Sequence, residues 1–74
     1  MRKTLIEEAK VLWMEGGKGR ERPLWIEIEG RKLPVLDWEG KLFPHRREFR
    51  VKTPAGSFLV EVEGEEVRVY SLAL

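Results

Sequence analysis

The sequence predicts an all-β or nearly all-β domain, built as a small curved antiparallel sheet of five or six strands or as an SH3-like or OB-like barrel. Apolar and polar residues alternate in short runs along most of the chain, and glycine or proline separates these runs. A chain of 74 residues is too short for more than one compact unit, so residues 1–74 are treated as one domain. Closure into a barrel, or edge pairing across a dimer, would remove the exposed edges of an open sheet.

The first clear hairpin begins near Pro23. Over residues 24–29, aliphatic side chains alternate with tryptophan or glutamate, and an apolar pattern resumes at Leu33. Gly30 lies between these two runs and supplies the positive φ angle that a tight turn requires. The sequence therefore predicts a reversal at residues 29–31, followed by a connector at residues 40–46.

A meander of three strands is predicted for the second half of the chain. Phe49, Val51 and Thr53 share one face of a strand, and Pro54 with Gly56 forms a strong turn signal behind it. Another glycine reversal at residues 63–65 separates a returning strand from a last strand. These three strands follow one another directly, so we expect them to be neighbours in one antiparallel sheet.

The first 22 residues fit two interpretations. Ala9, Val11 and Trp13 alternate as in a strand, but the wider apolar set fits a helix nearly as well. The alternation favours a strand at residues 8–14. Residues 16–22 are glycine-rich and basic, but they lack the spacing of a phosphate-binding loop and precede no helix, so we expect a mobile connector.

Composition argues against catalysis and cofactors. The chain has no cysteine, which excludes disulfides, thiolate catalysis and sulfur-ligated zinc, and its single histidine, His45, makes no metal site alone. No Ser, His and Asp residues have the arrangement of a catalytic triad. Charges interrupt the N-terminal apolar run too early for a signal peptide, and no run could span a bilayer. We expect a cytoplasmic protein with no enzyme activity, cofactor, metal or membrane partner.

The amino-acid usage is that of a thermophile. The sequence has no Asn and no Gln, only two Ser and two Thr, and 14 Lys or Arg beside 13 Asp or Glu. Dense charge pairing becomes more favourable at high temperature because the hydration of ions weakens. Many charges in this chain are therefore expected to form ion pairs.

The distribution of charge points to a nucleic-acid site. Residues 41–52 carry five Lys or Arg and one Glu, whereas residues 53–74 carry four Glu and one Arg. Cations contact phosphates and aromatic rings stack on bases, so DNA or RNA is the predicted partner. The predicted contact residues are Trp38, Lys41, Phe43, Arg46, Arg47, Arg50 and Lys52. The structural alternative is a cross-strand ladder of Arg50 and Lys52 with Glu61 and Glu63.

A protein-interaction or self-assembly module is the competing hypothesis. Trp25 shares a strand face with Glu27 and Glu29, so it is either an exposed anchor or a core residue. Small domains often gain stability by oligomerisation, which makes a homodimer one expected assembly. The interface residues of this hypothesis are Trp25, Tyr70, Leu72 and Leu74. An apolar interface would be nearly indifferent to salt, unlike a nucleic-acid site.

Part of the chain resembles a small uncharacterised bacterial β-domain. The resemblance lies in the run Arg47-Glu48-Phe49-Arg50-Val51-Lys52-Thr53-Pro54-Ala55-Gly56, in Glu29-Gly30-Arg31 and in residues 35–38, and it covers residues 23–72. That domain occurs alone or at the C-terminal end of inactive Y-family DNA polymerase paralogues of the mutagenesis cassette. The resemblance implies an accessory role in DNA repair or translesion synthesis, without a known activity or site.

Overall fold

The computed structural model describes residues 2–14 and 22–73, which form eight strands and no helix. The strands are β1 (Arg2–Ile6), β2 (Ala9–Met14), β3 (Arg22–Ile28), β4 (Arg31–Pro34), β5 (Asp37–Leu42), β6 (Arg47–Thr53), β7 (Gly56–Glu63) and β8 (Glu66–Ala73). One antiparallel sheet has the order β1-β8-β7-β6-β5, and the other has the order β2-β3-β4. The predicted small, all-β, antiparallel domain is confirmed. None of the described residues belongs to a helix that could cross a membrane.

Two stretches of the chain leave one sheet and enter the other. Between β4 and β5, Val35 donates its N–H to the carbonyl of Leu24 at 3.0 Å, and Leu36 donates to the carbonyl of Lys52 at 2.7 Å. Leu24 and Lys52 belong to different sheets, so the change of sheet takes place between two consecutive residues. The other stretch lies between β1 and β2. Because the chain changes sheet twice, it has eight strands, and the predicted number of five or six is too low. Over the described residues the two sheets do not close into a barrel, so the SH3-like or OB-like alternative is wrong.

The described N-terminal segment is extended. β2 (Ala9–Met14) confirms the predicted strand at residues 8–14 and rules out the helix. β1 was not predicted, because Arg2, Lys3 and Thr4 are all exposed and show no apolar alternation. Its extended form depends on pairing with β8, which is distant in sequence. The predicted connector at residues 16–22 lies outside the described residues except for Arg22, which belongs to β3.

The three predicted glycine turns and the meander form, and Gly30, Gly56 and Gly64 all have positive φ angles. Glu29 and Gly30 have φ angles of 49° and 80°, as the twist of a two-residue hairpin requires. In the turn between β6 and β7, the Thr53 hydroxyl donates to the carbonyl of Gly56 at 2.9 Å and accepts the N–H of Ala55 at 3.1 Å. β6, β7 and β8 are consecutive neighbours in the larger sheet. The local turn signals therefore fix this half of the topology.

The predicted connector at residues 40–46 is too long. β5 continues to Leu42, and Phe43 donates its N–H to the carbonyl of Arg46 at 2.8 Å, which closes a β5–β6 hairpin. All six residues of β5 are exposed, and Gly40 interrupts their alternation. The strand was therefore missed at this position, although β6 supplies the pairing.

The core lies between the two sheets and covers the larger sheet unevenly. Ile26 of β3 packs against the central strands of the larger sheet, and Phe49 joins this cluster at 6% exposure. Trp13 and Trp38 both pack against Phe49, with ring centroids at 5.3 Å and 6.0 Å. On the same face further along β5, Leu42 is 82% exposed. The core therefore reaches the Trp38 end of β5 but not the Leu42 end.

Candidate interaction surface on the β5–β6 hairpin

All seven predicted nucleic-acid residues lie on the β5–β6 hairpin, but they do not share one surface. Lys41, Arg50 and Lys52 belong to the solvent face of the larger sheet, since they alternate with residues of the core face. Trp38 belongs to the core face. Phe43 and Arg46 lie in the turn at residues 43–46, and Arg47 begins β6 opposite Leu42. The basic segment is thus divided among a solvent face, a turn and the margin of the core.

On the solvent face, each of these three basic residues stands opposite an acid. The register pairs Lys52 with Asp37, Arg50 with Glu39, and Lys41 with Glu48. The predicted ladder with Glu61 and Glu63 is wrong, because Arg50 and Lys52 face Leu59 and Ser57 on β7. The counterparts come instead from residues 37–39, which lie just before the segment chosen for its charge. The positive electrostatic potential of this face is therefore weaker than the charges of residues 41–52 alone indicate.

The acids of β7 and β8 form their own ion-pair cluster. Glu61 is 9% exposed, and it accepts a hydrogen bond from Arg68 at 3.1 Å and lies 3.6 Å from the ammonium of Lys3. Arg68 also reaches Glu66 at 2.8 Å and Glu63 at 3.7 Å. The hydrogen bond to Glu61 raises the pKa of Arg68 further above its usual value. This cluster joins β1, β7 and β8 on the side of the sheet away from β5.

The turn at residues 43–46 combines an aromatic ring with a cation. The Arg46 guanidinium lies 4.4 Å from the centre of the Phe43 ring, and its Nε lies 3.2 Å from Glu48. Pro44 and His45 are exposed beside them. A phosphate would have to compete with Glu48 for the Arg46 guanidinium, so the turn is only partly preorganised to bind an anion.

β5 is an edge strand, and this feature was missed by sequence reasoning. It pairs with β6 on one side, and no described residue pairs with its other side. Phe43 forms a hydrogen-bonded pair with Arg46, and such pairs alternate along an antiparallel ladder. The backbone N–H and C=O groups of Trp38, Gly40 and Leu42 therefore point away from β6. They form an edge that no described strand pairs with, although the Trp38 N–H already donates a hydrogen bond to Asp37 Oδ1 at 2.9 Å.

The side chains along this edge are apolar on the core face. Trp38 is 40% exposed and Leu42 is 82% exposed, and both lie on that face. Gly40 between them leaves room for the Trp38 ring, because a Cβ atom at position 40 would come within 3.3 Å of that ring and 3.4 Å of Phe49. The apolar alternation of residues 38–42 is visible in the sequence, although glycine interrupts it.

The residues of the competing interface hypothesis lie on two opposite surfaces. Trp25 is half-buried on the outer face of the three-stranded sheet, where Lys32 lies 5.9 Å from its ring. Tyr70 and Leu72 are half-buried on the outer face of the larger sheet, with Lys3 at 4.6 Å from the Tyr70 ring. β8 lies between β7 and β1, so it offers no free edge. Leu74 lies outside the described residues.

Comparisons with other proteins add no assignment to this surface. Neither the protein-family models, nor the curated proteins, nor the solved structures give a match. Within the described residues, no three acidic or histidine side chains are grouped closely enough to hold a metal ion. The case for function therefore rests on the edge, the turn and the charges described above.

Proposed function

We propose that this protein is a non-enzymatic binding module that takes up an extended protein strand at the free edge of β5. The observation that carries the proposal is the edge formed by Trp38, Gly40 and Leu42, which pairs with no other described strand and lies beside exposed apolar side chains. A strand added to a sheet edge gains main-chain hydrogen bonds, while alternate side chains give specificity. This is the protein-interaction hypothesis, moved from Trp25 and the last strand to β5.

The two faces of β5 offer different chemistry to an added strand. Trp38 and Leu42 would contact apolar side chains on the core face. Asp37, Glu39 and Lys41 would contact charged or polar side chains on the solvent face. A strand that alternates apolar and charged residues fits this edge best, because cross-strand neighbours on one face interact directly.

Selection of peptides tests this proposal without a known partner. A display library of random nine-residue peptides would be selected on the full chain in high salt, which suppresses contacts that depend on counterion release. We expect alternating sequences that perturb the amide resonances of Trp38, Gly40 and Leu42. Binding should weaken at least tenfold in Leu42→Lys and remain unchanged in Leu5→Lys, a matched change on the other edge strand. Selected peptides that bind equally well to Leu42→Lys would refute the proposal.

Nucleic-acid binding at the turn of the hairpin is a second candidate. It is favoured by the Arg46 guanidinium stacked on the Phe43 ring, with Arg47 next in sequence. An aromatic ring beside cations suits a base and its phosphate in DNA or RNA. If the resemblance to the polymerase-associated domain reflects kinship, this contact would serve DNA repair or translesion synthesis.

Fluorescence anisotropy with labelled single-stranded and duplex DNA separates the two candidates. A nucleic-acid site predicts an affinity that falls steeply with salt, and a double variant Arg46→Ala, Arg47→Ala that binds more weakly with a shallower salt dependence. If the wild type and the double variant bind DNA with equal affinity at every salt concentration, the turn is excluded as the nucleic-acid site. A strand partner at β5 should bind both proteins alike.

A further inference from the structure

We infer that the strand taken up at β5 is β5 of a second copy of this chain, antiparallel and centred on Gly40. This inference rests on the proposed function, because it names the partner of the same edge. In a two-fold arrangement with Gly40 opposite Gly40 of the second copy, Trp38 stands opposite Leu42 and Glu39 stands opposite Lys41. The segment from Trp38 to Leu42 is thus complementary to itself when its direction is reversed.

The exposed side chains support this arrangement on both faces. On the core face, the 40% exposed Trp38 would meet the 82% exposed Leu42 of the second copy, and this contact would occur twice. On the solvent face, Glu39 would lie between Arg50 of its own chain and Lys41 of the second copy. Lys41 would likewise lie between Glu48 and the second Glu39. Opposite charges would alternate across the joined sheets, which favours pairing.

The backbone has the phase that this register requires. The groups that point outward from β5 belong to Trp38, Gly40 and Leu42, as the Phe43–Arg46 hydrogen bond shows. With Gly40 at the two-fold axis, each of these residues faces another residue of the same set. The outward N–H and C=O groups then face partners, giving about six hydrogen bonds between the two copies once each Trp38 N–H exchanges Asp37 Oδ1 for the Leu42 carbonyl of the second copy. The joined sheet would have ten strands, and the β5 edge of each copy would no longer be exposed.

Neighbouring registers lack this agreement. A shift that centres the pair on Glu39 places two carboxylates opposite each other and leaves Trp38 facing Gly40, while Leu42 faces Leu36 just before β5. A shift that centres it on Lys41 places two ammonium groups opposite each other. Like charges directly opposite destabilise a strand pair, so the register centred on Gly40 is selected by charge as well as by apolar contact.

The expected association is weak, because one short strand buries less than the roughly 1,200 Å² of a standard interface. A covalent trap is therefore the sharpest test, and the absence of natural cysteine makes it specific. Positions 39 and 41 of the two copies form a pair without mutual hydrogen bonds, with Cα atoms about 4.5 Å apart, which a disulfide can bridge. Two copies of position 39 are diagonal neighbours at about 7–8 Å.

The experiment mixes full-length Glu39→Cys and Lys41→Cys chains in a glutathione redox buffer and follows disulfide formation. We expect the mixed dimer to form at least tenfold faster than the dimer of Glu39→Cys alone. Equal rates, or a faster reaction of Glu39→Cys alone, would overturn the register centred on Gly40. The matched control is a mixture of Arg2→Cys and Thr4→Cys chains, which places the thiols two residues apart on one face of β1 and should cross-link slowly.

A charge-exchange experiment tests the same register without a covalent bond. A dimer of Glu39→Lys would contain two like-charged pairs between the copies, and so would a dimer of Lys41→Glu. Each variant alone should therefore sediment as a monomer at concentrations at which the wild type associates. In a mixture of the two variants, every cross-copy pair is again of opposite charge, and association should return. Loss of folding cannot explain such a recovery, since each chain keeps its own substitution. Association that stays absent in the mixture, or is unchanged in both single variants, would contradict the inference.

The results also separate this inference from the function on which it rests. If selected peptides bind at β5 while no mixed disulfide forms, the edge accepts strands but not its own copy, and only the self-pairing is overturned. If neither peptides nor a second copy bind there, both statements fail. If both bind, peptides should compete with the disulfide, because they occupy the same edge.

Discussion

The larger sheet has two edge strands of different character. β1 carries Arg2 and Lys3 and no acid, and Lys3 lies 3.6 Å from Glu61 and 4.6 Å from the Tyr70 ring. β5 alternates acid and base on one face and exposes Trp38 and Leu42 on the other. Lysine is a common means of protecting a sheet edge from other strands. The comparison shows that a sheet can protect one edge with like charge and leave the other edge complementary to itself.

The difference also extends inward from each edge. β1 is held on its solvent face by the ion pairs around Glu61, whereas β5 is held on its core face by the packing of Trp38 against Phe49. Burial of an aromatic ring contributes more to stability than a partly exposed ion pair. We therefore expect β5 to be destabilised more by loss of its aromatic contact than β1 is by loss of its ion pair.

The largest effect is expected for Phe49→Ala. Phe49 is 6% exposed and contacts both Trp13 and Trp38, so its removal should lower the free energy of unfolding by about 3–5 kcal/mol. Denaturant unfolding followed by tryptophan fluorescence measures the change. The control Leu5→Ala, at a 51% exposed position of β1, should change it by less than about 0.5 kcal/mol. Similar losses in the two variants would show that β5 does not depend on this core contact.

The next effect concerns association at the two edges. Leu42→Lys should weaken self-association at least tenfold, about 1.4 kcal/mol, because it places a charge in the apolar contact with Trp38 of the second copy. Leu5→Lys should leave association unchanged, since β1 is already basic. Sedimentation of both variants over a range of concentrations measures this. A larger effect of Leu5→Lys would mean that β1 is the interacting edge, and the comparison would be reversed.

The fold was predictable where local signals and burial agree. β6, β7 and β8 have buried apolar residues on one face and glycine turns between them, so their pattern is complete within each short segment. β1 and β5 lack such a pattern, because edge strands are largely exposed and their pairing comes from distant partners. The change of sheet at Val35 and Leu36 is decided by two hydrogen bonds, which leave no periodic signal in the sequence.

The candidate site was predictable in position but not in arrangement. The segment at residues 41–52 was selected for its charge, and it contains the turn and most of β6. The register could not be derived from the sequence, so Asp37 and Glu39 were not recognised as the counterparts of Lys52 and Arg50. Leu42 was not selected because it lies inside the predicted connector at residues 40–46, where Gly40 interrupts the apolar alternation.

A smaller effect is expected when the support of β1 is weakened by Glu61→Gln. The amide keeps the shape of Glu61 but loses its charge, so Lys3 loses its ion pair while Arg68 keeps Glu66. The free energy of unfolding should fall by about 1 kcal/mol, and the loss should shrink in high salt. Hydrogen exchange should accelerate at β1 amides and stay unchanged at β5. The control Glu63→Gln, which removes a more exposed carboxylate at 3.7 Å from Arg68, should cost less. An equal loss in both variants would argue against a special role of Glu61.

The smallest effect tests why β5 contains a glycine. Gly40→Ala should gain up to about 1 kcal/mol from the reduced freedom of the unfolded chain. The new methyl group meets the Trp38 ring at 3.3 Å, so part of this gain is lost as the ring moves toward solvent. We expect a net change below about 0.5 kcal/mol and a red shift of tryptophan emission. In a Trp38→Phe background the smaller ring leaves more room, so the same substitution should stabilise the protein more. Equal effects in the two backgrounds would show that Gly40 does not serve the packing of Trp38, and its place at the centre of β5 would then be explained by the approach of a second strand.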